Sequence, residues 1–188
     1  KGAKTGLITT KGFRDVLELG RTARAELFNL FMDRPTPLVP RHLRLEVSER
    51  VNYKGEILQP LDEKGAKAVV QKLKRAGVES MAVCFLHSYM NPTNERKMGE
   101  IIGEEPIAVS LSSEVDPEFR EYQRTSTTVV NAYTKPIASQ YLKNLEESLR
   151  KLGVTTTLYI MQSSGGIMTS EVAKSRPVQM IESGPAAG

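Results

Sequence analysis

The sequence predicts an α/β protein built from βαβ layers with one added hairpin. Residues 80–86 are almost all apolar, which is typical of a strand covered on both faces. A second β-prone run lies at 107–111, and an amphipathic helical pattern precedes each of these two runs. Strands that alternate with helices through short links favour a layered sheet.

The first forty residues contain one β-prone run and one short helical pattern. The run lies at 7–10, and residues 12–20 fit one or two helical turns that end at Gly20. An apolar stretch within 21–42 is followed by three prolines, which exclude both a helix and a central strand. We therefore expect 21–42 to be a long surface connection.

A hairpin is predicted in the next part of the chain. Residues 43–53 alternate between apolar and charged side chains, and Lys54 and Gly55 separate them from a β-prone run at 56–58. This pattern is typical of half-buried antiparallel strands joined by a tight turn.

Two helices with recognisable starts follow the hairpin. Asp62 is expected to cap the first, which ends at Gly77. Asn91 is expected to cap the second, with Pro92 at its first position. The apolar stripe of the first helix predicts that it packs on the sheet; the stripe comprises Ala66, Val69, Val70, Leu73 and Ala76.

From Pro117 onward the chain changes character. A charged and aromatic helical segment contains four consecutive hydroxyl residues, Thr125 to Thr128, which are poor helix formers. Pro136 is expected to interrupt this helix, and a strongly amphipathic helix is predicted at 137–152. We place the domain boundary between Pro117 and Pro136, so the chain divides into 1–116 and 117–188.

Composition excludes several classes of protein. Hydrophobic residues make up 39% and charged residues 26% of the chain, as in a soluble globular protein. The net charge of +4 is scattered and accompanied by few aromatic residues, which disfavours nucleic-acid binding. No apolar run is long enough to cross a membrane. One cysteine, Cys84, cannot form an internal disulfide and suits a reducing cytoplasm.

No metal site or catalytic side chain emerges from the residue pattern. His42 and His87 are far apart and lack companions at ligand spacing, so we expect no bound metal. Cys84 lies among apolar residues of a predicted strand, which favours a packed thiol over a nucleophile. The catalytic residues are therefore unassigned.

Two Ser/Gly loops near the end of the chain are candidates for phosphate binding. Each follows a β-prone run, the first at 158–161 and the second at 178–181. Glycines let the backbone N–H groups approach an anion closely. Neither loop is a P-loop or a dinucleotide fingerprint, and ordinary turns are the alternative interpretation. The candidate residues are Ser163, Gly165, Gly166, Ser183, Gly184 and Gly188.

Several ordered strings resemble the hydantoinase/oxoprolinase family, in particular its A-type subunits. They lie at 6–21, 49–51, 85–92, 120–133 and 161–188, so the resemblance covers essentially the whole chain. The family contains ATP-dependent N-methylhydantoinases, 5-oxoprolinases and β subunits of acetone and acetophenone carboxylases. One departure concerns Asn94, which stands where the family often has histidine; asparagine cannot carry a proton near neutral pH.

The resemblance implies an actin/hexokinase-like (ribonuclease H-like) ATPase fold, in which two lobes with mixed sheets close on ATP and Mg²⁺. Residues 1–116 would form the inner part of the first lobe with an inserted α+β subdomain. Residues 117–188 would form interlobe helices and the start of the second lobe. The family's Asp-Gly-Gly-Thr-type phosphate motifs would lie outside this piece. Arg120, Arg124 and Thr127 are candidates for substrate or interlobe contacts.

By the same resemblance, the parent protein would hydrolyse a C–N bond of a cyclic amide such as a hydantoin or 5-oxoproline, after phosphoryl transfer from ATP. The β chain of a ketone carboxylase is the first alternative. A non-catalytic subunit that binds nucleotide or a partner is the second. A B-type subunit is the expected partner, and the isolated piece is expected to be inactive.

Overall fold

The computed structural model describes residues 2–20, 28, 31 and 35–187. Most of the predicted surface connection at 21–42 lies outside the described residues, and so does Gly188. The part from Pro35 to Pro40 contains no helix or strand, as the three prolines predict.

A four-stranded parallel sheet forms the centre of the molecule. From one edge to the other, its strands are β2 (Arg44–Val47), β1 (Thr5–Thr10), β5 (Ser80–Cys84) and β6 (Ala108–Leu111). The register places Leu7 opposite both Arg44 and Ala82. The α/β class and the predicted strands at 7–10, 80–86 and 107–111 are confirmed.

Helices cover both faces of this sheet. A Cβ at Gly6 would meet Leu73 of α2 (Glu63–Arg75), so this face of β1 lies against α2. Cys84 points to the opposite face, because side chains alternate along a strand, and there it accepts a hydrogen bond from Thr125 of α5 (Glu121–Lys151). Burial on both faces explains why β1 and β5 are buried at every position.

The hairpin prediction is right only in part. The antiparallel pair consists of β3 (Arg50–Val51) and β4 (Ile57–Gln59), closed by a turn with Gly55 at a φ of 84°. The residues of β2 instead extend the parallel sheet beside β1. β2 lies at the edge of the parallel sheet and is only partly covered, so its sequence alternates like that of a half-buried antiparallel strand and the pattern did not distinguish the two kinds of pairing.

The predicted start of the first of these helices is confirmed, and that of the second is displaced by one residue. Asp62 accepts a hydrogen bond from the Gly65 N–H at 3.1 Å at the start of α2. Asn91 accepts one from the Thr93 N–H at 3.1 Å, although α3 (Thr93–Gly103) is counted from Thr93 with Pro92 before it. Two short helices, α1 (Val16–Leu19) and α4 (Ser112–Val115), follow the carboxyl ends of β1 and β6.

The predicted interruption at Pro136 is wrong, because α5 runs through it from Glu121 to Lys151. Pro136 removes one helical hydrogen bond, the one to the Ala132 carbonyl, and the helix is held on both sides of it by buried residues, Val129 and Ala132 before it and Leu142 after it. The hydroxyl residues also fit the helix. Thr128 donates to the Arg124 carbonyl at 2.7 Å, and Thr134 donates to the Val130 carbonyl at 2.9 Å.

The last forty residues form a smaller unit packed on the second half of α5. A two-stranded antiparallel ribbon, β7 (Tyr159–Met161) and β8 (Ile167–Thr169), leads into α6 (Ser170–Ser175). The strand predicted at 178–181 is wrong, because Pro177–Met180 is a 3₁₀ helix that precedes α7 (Ser183–Ala187). The Asn131 side chain fixes this turn by accepting from the Val178 N–H at 3.2 Å.

The helix α5 contributes to two hydrophobic cores. Val129 and Ala132 belong to the main core around the sheet, whereas Leu142 packs with Met168 and Ala173 in the smaller unit. The division of the chain at 116/117 stays a prediction. None of the helices in the described ranges is long and apolar enough to cross a membrane.

Candidate functional site

The first small-residue loop is the turn of the β7–β8 ribbon. The Gln162 N–H donates to the Gly166 carbonyl at 2.7 Å, and the Gly165 N–H donates to the Gln162 carbonyl at 3.0 Å. Gly165 has a φ of 85°, a conformation that side chains with a Cβ disfavour. The glycines therefore serve a hairpin turn, which is the alternative that the sequence left open.

The two small-residue loops lie side by side. The Ser163 N–H donates to the Gln179 carbonyl at 2.8 Å, and its hydroxyl contacts the carbonyls of Gln179 and Ile181. Ile181 lies two residues before Ser183. Ser163 thus uses both of its donors to hold the second loop against the first.

The backbone of these loops is open on one side. A Cβ built at Gly165 or at Gly184 would meet no atom of the described residues within 4 Å, so a ligand can approach the main chain at both positions. At Gly166 a Cβ would lie 2.9 Å from the Gln162 side chain, so this glycine faces the protein. The loops therefore fit one wall of an anion site. No cluster of metal-ligating side chains occurs in the described ranges.

Arg124, one of the candidates for substrate contact, is buried. Its side chain is 1% exposed and donates to the carbonyls of Phe85, at 2.9 Å, and Glu118, at 2.8 Å. The guanidinium also lies 5.2 Å from the ring centroid of Tyr89. Arg124 therefore ties α5 to the carboxyl end of β5.

The other two candidates differ from Arg124. Arg120 is exposed, stacks on the Phe119 ring at 5.2 Å and has a φ of 85° directly before α5. Thr127 is half-buried on α5. The helix reaches the second loop further along, where Asn131 contacts Ser175 and Val178. None of the side-chain hydrogen bonds described for these three residues reaches the small-residue loops within the described part of the chain.

A buried polar network that sequence reasoning missed lies at the carboxyl edge of the parallel sheet. We call it the carboxyl-edge network. Thr10, the last residue of β1, donates to Glu49 and accepts from the Leu86 N–H at 2.9 Å. Asn94 donates to Glu49 at 2.9 Å and accepts from the Leu61 N–H at 3.3 Å. Its members are Thr10, Glu49, Ser88, Asn94, Glu95 and Ser112, all buried.

Glu95 joins the ends of the neighbouring strands β5 and β6. Its carboxylate accepts from the Phe85 N–H at 3.1 Å, the Ser112 hydroxyl at 2.7 Å and the Ser113 N–H at 2.7 Å. The Ser112 hydroxyl also contacts that of Ser88 at 3.0 Å. A carboxylate that accepts three hydrogen bonds in the interior is satisfied without a cation.

Burial raises the pKa of the Glu49 carboxyl above its ordinary value, while the hydrogen bonds from Thr10 and Asn94 act in the opposite direction. Glu49 is 2% exposed and Glu95 is fully buried, so a substrate cannot reach either carboxyl in this structure. The network therefore shapes the edge of the sheet. Part of the signal was present, because Glu49 belongs to one of the strings that carry the family resemblance, and Asn94 is the position where the sequence departs from the family pattern.

Comparison with protein families matches both parts of the chain. The model described as "Hydantoinase/oxoprolinase N-terminal region" matches residues 1–106, and the model described as "Hydantoinase/oxoprolinase" matches residues 124–188.

Three relatives match along nearly the whole chain. An uncharacterised protein of Methanocaldococcus jannaschii is 48% identical over 98% of this chain. The alpha chain of the caprolactamase of Pseudomonas jessenii is 36% identical over 98% of the chain. The 5-oxoprolinase of Saccharomyces cerevisiae is 32% identical over the full chain. These matches cover 28%, 27% and 16% of the respective relatives, so the chain spans less than a third of their length.

Two solved structures have the same fold as this chain. The ATP-dependent caprolactamase of Pseudomonas jessenii aligns with a TM-score of 0.91 and 34% identity over the whole chain and 28% of its own. Nucleotide-free acetone carboxylase aligns with a TM-score of 0.88 and 31% identity, again over the whole chain and 28% of its own. Both agree with the fold class that the resemblance implied.

Proposed function

Because the chain belongs to the hydantoinase/oxoprolinase family, we propose that it is part of an ATP-dependent enzyme that hydrolyses a C–N bond of a cyclic amide. The observation that carries this proposal is the likeness to the ATP-dependent caprolactamase, a TM-score of 0.91 with 34% identity along the entire chain. The 5-oxoprolinase relative is named for a second cyclic amide, which supports the same substrate class.

Cyclic amides need activation because resonance makes their carbonyl carbon a poor electrophile. Phosphoryl transfer from ATP to the amide oxygen would supply that activation, with Mg²⁺ stabilising the charge on the phosphates. The chain's own part in our proposal is to hold the binding surfaces. The carboxyl-edge network keeps the sheet in shape, Arg124 fixes α5 on it, and α5 carries the two small-residue loops.

We propose that the open backbone at Gly165 and Gly184 forms one wall of the nucleotide site. The same proposed wall includes Ser183 and, outside the described residues, Gly188. Ser163 would hold the two loops together, and Gly166 would close the turn by accepting from the Gln162 N–H. The remaining walls would come from other parts of the natural protein. We assign Arg120, which directly precedes α5, and Thr127, which lies on α5, to contacts between the lobes.

An ATP-dependent ketone carboxylase is the second candidate. The likeness to acetone carboxylase, a TM-score of 0.88 over the same residues, favours it specifically. Both candidates share activation of a carbonyl oxygen by phosphoryl transfer and differ in what attacks next, water or a carboxylating species. We propose that this enzyme is cytoplasmic and works with a second polypeptide. The name of the caprolactamase relative, an alpha subunit, supports the second polypeptide.

The test is Mg-ATP hydrolysis by the natural protein that contains this chain, with any co-encoded partner polypeptide. The assay compares no addition, 5-oxoproline, caprolactam, N-methylhydantoin, and acetone with bicarbonate. Stimulation by a cyclic amide together with its ring-opened product supports the first candidate, and stimulation by acetone supports the second. If the folded protein with its partner neither binds nor hydrolyses ATP, the enzyme proposal fails and a non-catalytic role replaces it.

A further inference from the structure

A small cavity lies between the carboxyl ends of β1 and β5 and the first turn of α5. Its polar lining comes from Thr9, Cys84, Glu121, Arg124 and Thr125. The other walls are apolar and come from Phe13, Val16, Phe85 and Leu86. About 10 Å³ is open to the centre of a water molecule. That is close to the smallest volume that holds one water, and it is too small for an organic ligand.

Among the described residues, two buried polar atoms of the cavity lining have no hydrogen-bond partner. They are the Thr9 hydroxyl and the Arg124 Nε, and each residue is 1% exposed. More than nine in ten buried polar groups in proteins have a partner. Two unpartnered groups around the same cavity therefore indicate a missing donor and acceptor inside it.

We propose that one ordered water molecule occupies this cavity and bridges the Thr9 hydroxyl to the Arg124 Nε–H. The water accepts from the guanidinium and exchanges a hydrogen bond with the hydroxyl, which can act as donor or acceptor. The water would join the sheet to α5 near the carboxyl end of β1, where Thr9 lies. Each of the three guanidinium nitrogens of Arg124 would then donate a hydrogen bond, two of them to carbonyls and Nε to the water.

The surroundings favour water over an anion. Glu121 lines the cavity, so its carboxylate opposes a second negative charge there. Burial raises the pKa of the Cys84 thiol, so its sulfur stays neutral and does not require a counterion. The Thr125 hydroxyl already donates to that sulfur at 3.1 Å, which leaves Thr9 as the hydroxyl that needs a partner.

The test is a crystal structure, at a resolution that shows ordered water, of the natural protein that contains this chain. The expected result is one peak about 2.7–3.2 Å from both the Thr9 Oγ1 and the Arg124 Nε. Thr9→Val has nearly the same shape without the hydroxyl and is expected to lose the peak. Thr5→Val is the matched control, because Thr5 lies on the same strand, is buried and donates instead to the Ala3 carbonyl; its structure should keep the water.

Three outcomes would overturn the proposal. The wild-type cavity is empty, or the peak remains unchanged in Thr9→Val, or a crystal soaked in bromide shows an anomalous peak at the same position. The last result would assign the site to an anion. Because no assay of activity is involved, failure of this inference is distinct from failure of the proposed function.

Discussion

The carboxyl-edge network and the two small-residue loops are both rich in polar groups, but those groups meet different surroundings. In the network, Glu49, Asn94 and Glu95 are buried and each has partners within the chain. In the loops, Gly165 and Gly184 are exposed and have open space beside the backbone. A ligand can bind only to groups that it can reach and that are not already hydrogen-bonded within the chain. We therefore assign a structural role to the network and ligand binding to the loops.

The largest expected effect on stability comes from replacing Arg124, and replacing Arg120 is its control. Arg124→Ala removes two charge-assisted hydrogen bonds to carbonyls and leaves a cavity, so we expect a loss of about 3–5 kcal/mol in the free energy of unfolding. Arg120→Ala is the matched control on an exposed side chain and should change stability by about 0.5 kcal/mol or less. Urea unfolding measures both, and equal losses would contradict the assignment of Arg124 to structure.

Glu95→Ala tests the network itself. It leaves the Phe85 N–H, the Ser112 hydroxyl and the Ser113 N–H without their acceptor, and unpaired buried donors are costly. We expect a loss of about 2–3 kcal/mol in the free energy of unfolding. Glu100→Ala on the exposed side of the same helix is the control and should have little effect. A Glu95→Ala protein as stable as that control would mean that the network does not stabilise the sheet.

Glu49→Gln tests the pH dependence of the same network. Because the folded state raises the pKa of Glu49 above its ordinary value of about 4.5, the folded protein holds this proton longer than the unfolded chain does. The Glu49 contribution to stability therefore falls as pH rises from about 4.5 through the raised pKa. Glutamine has no proton to lose, so the stability of Glu49→Gln relative to the parent should increase with pH in this window. Urea unfolding from pH 4 to 7 checks it, and a constant difference would refute the raised pKa.

The smallest expected effect on stability comes from replacing two glycines of the loops with alanine. Gly165→Ala places a Cβ at a φ of 85° and should cost about 1 kcal/mol. Gly184→Ala adds a Cβ into open space without a positive φ and should leave stability nearly unchanged. Thermal unfolding distinguishes them. If both variants lose the same stability, the ribbon turn is not what requires glycine at 165.

Local sequence patterns predicted the elements whose pattern and surroundings agree. The apolar runs of β1, β5 and β6 and the capped stripe of α2 lie where expected, because burial on both faces or on one stripe determines each of them. Pro136 and residues 178–181 were misassigned for the opposite reason. There the outcome depends on distant parts of the chain: buried residues hold α5 on both sides of Pro136, and the Asn131 side chain accepts from the Val178 N–H.

The candidate site divides in the same way. The small-residue loops could be predicted, because their runs of serine and glycine are visible in the sequence. It did not reveal that Ser163 holds the second loop, because its partner Ile181 is 18 residues away. The network was missed because Glu49 and Asn94 are 45 residues apart and only the sheet brings them together.

The affinity of the natural protein for Mg-ATP tests the contrast between network and loops most directly. Gly184→Val places a side chain in open space where we propose that the nucleotide approaches, and Gly103→Val makes the same change in open space at the end of α3. We predict that Gly184→Val weakens binding by about tenfold or more, equivalent to about 1.4 kcal/mol, while Gly103→Val binds like the parent. Unchanged affinity in a folded Gly184→Val protein would contradict the assignment of ligand approach to the loops.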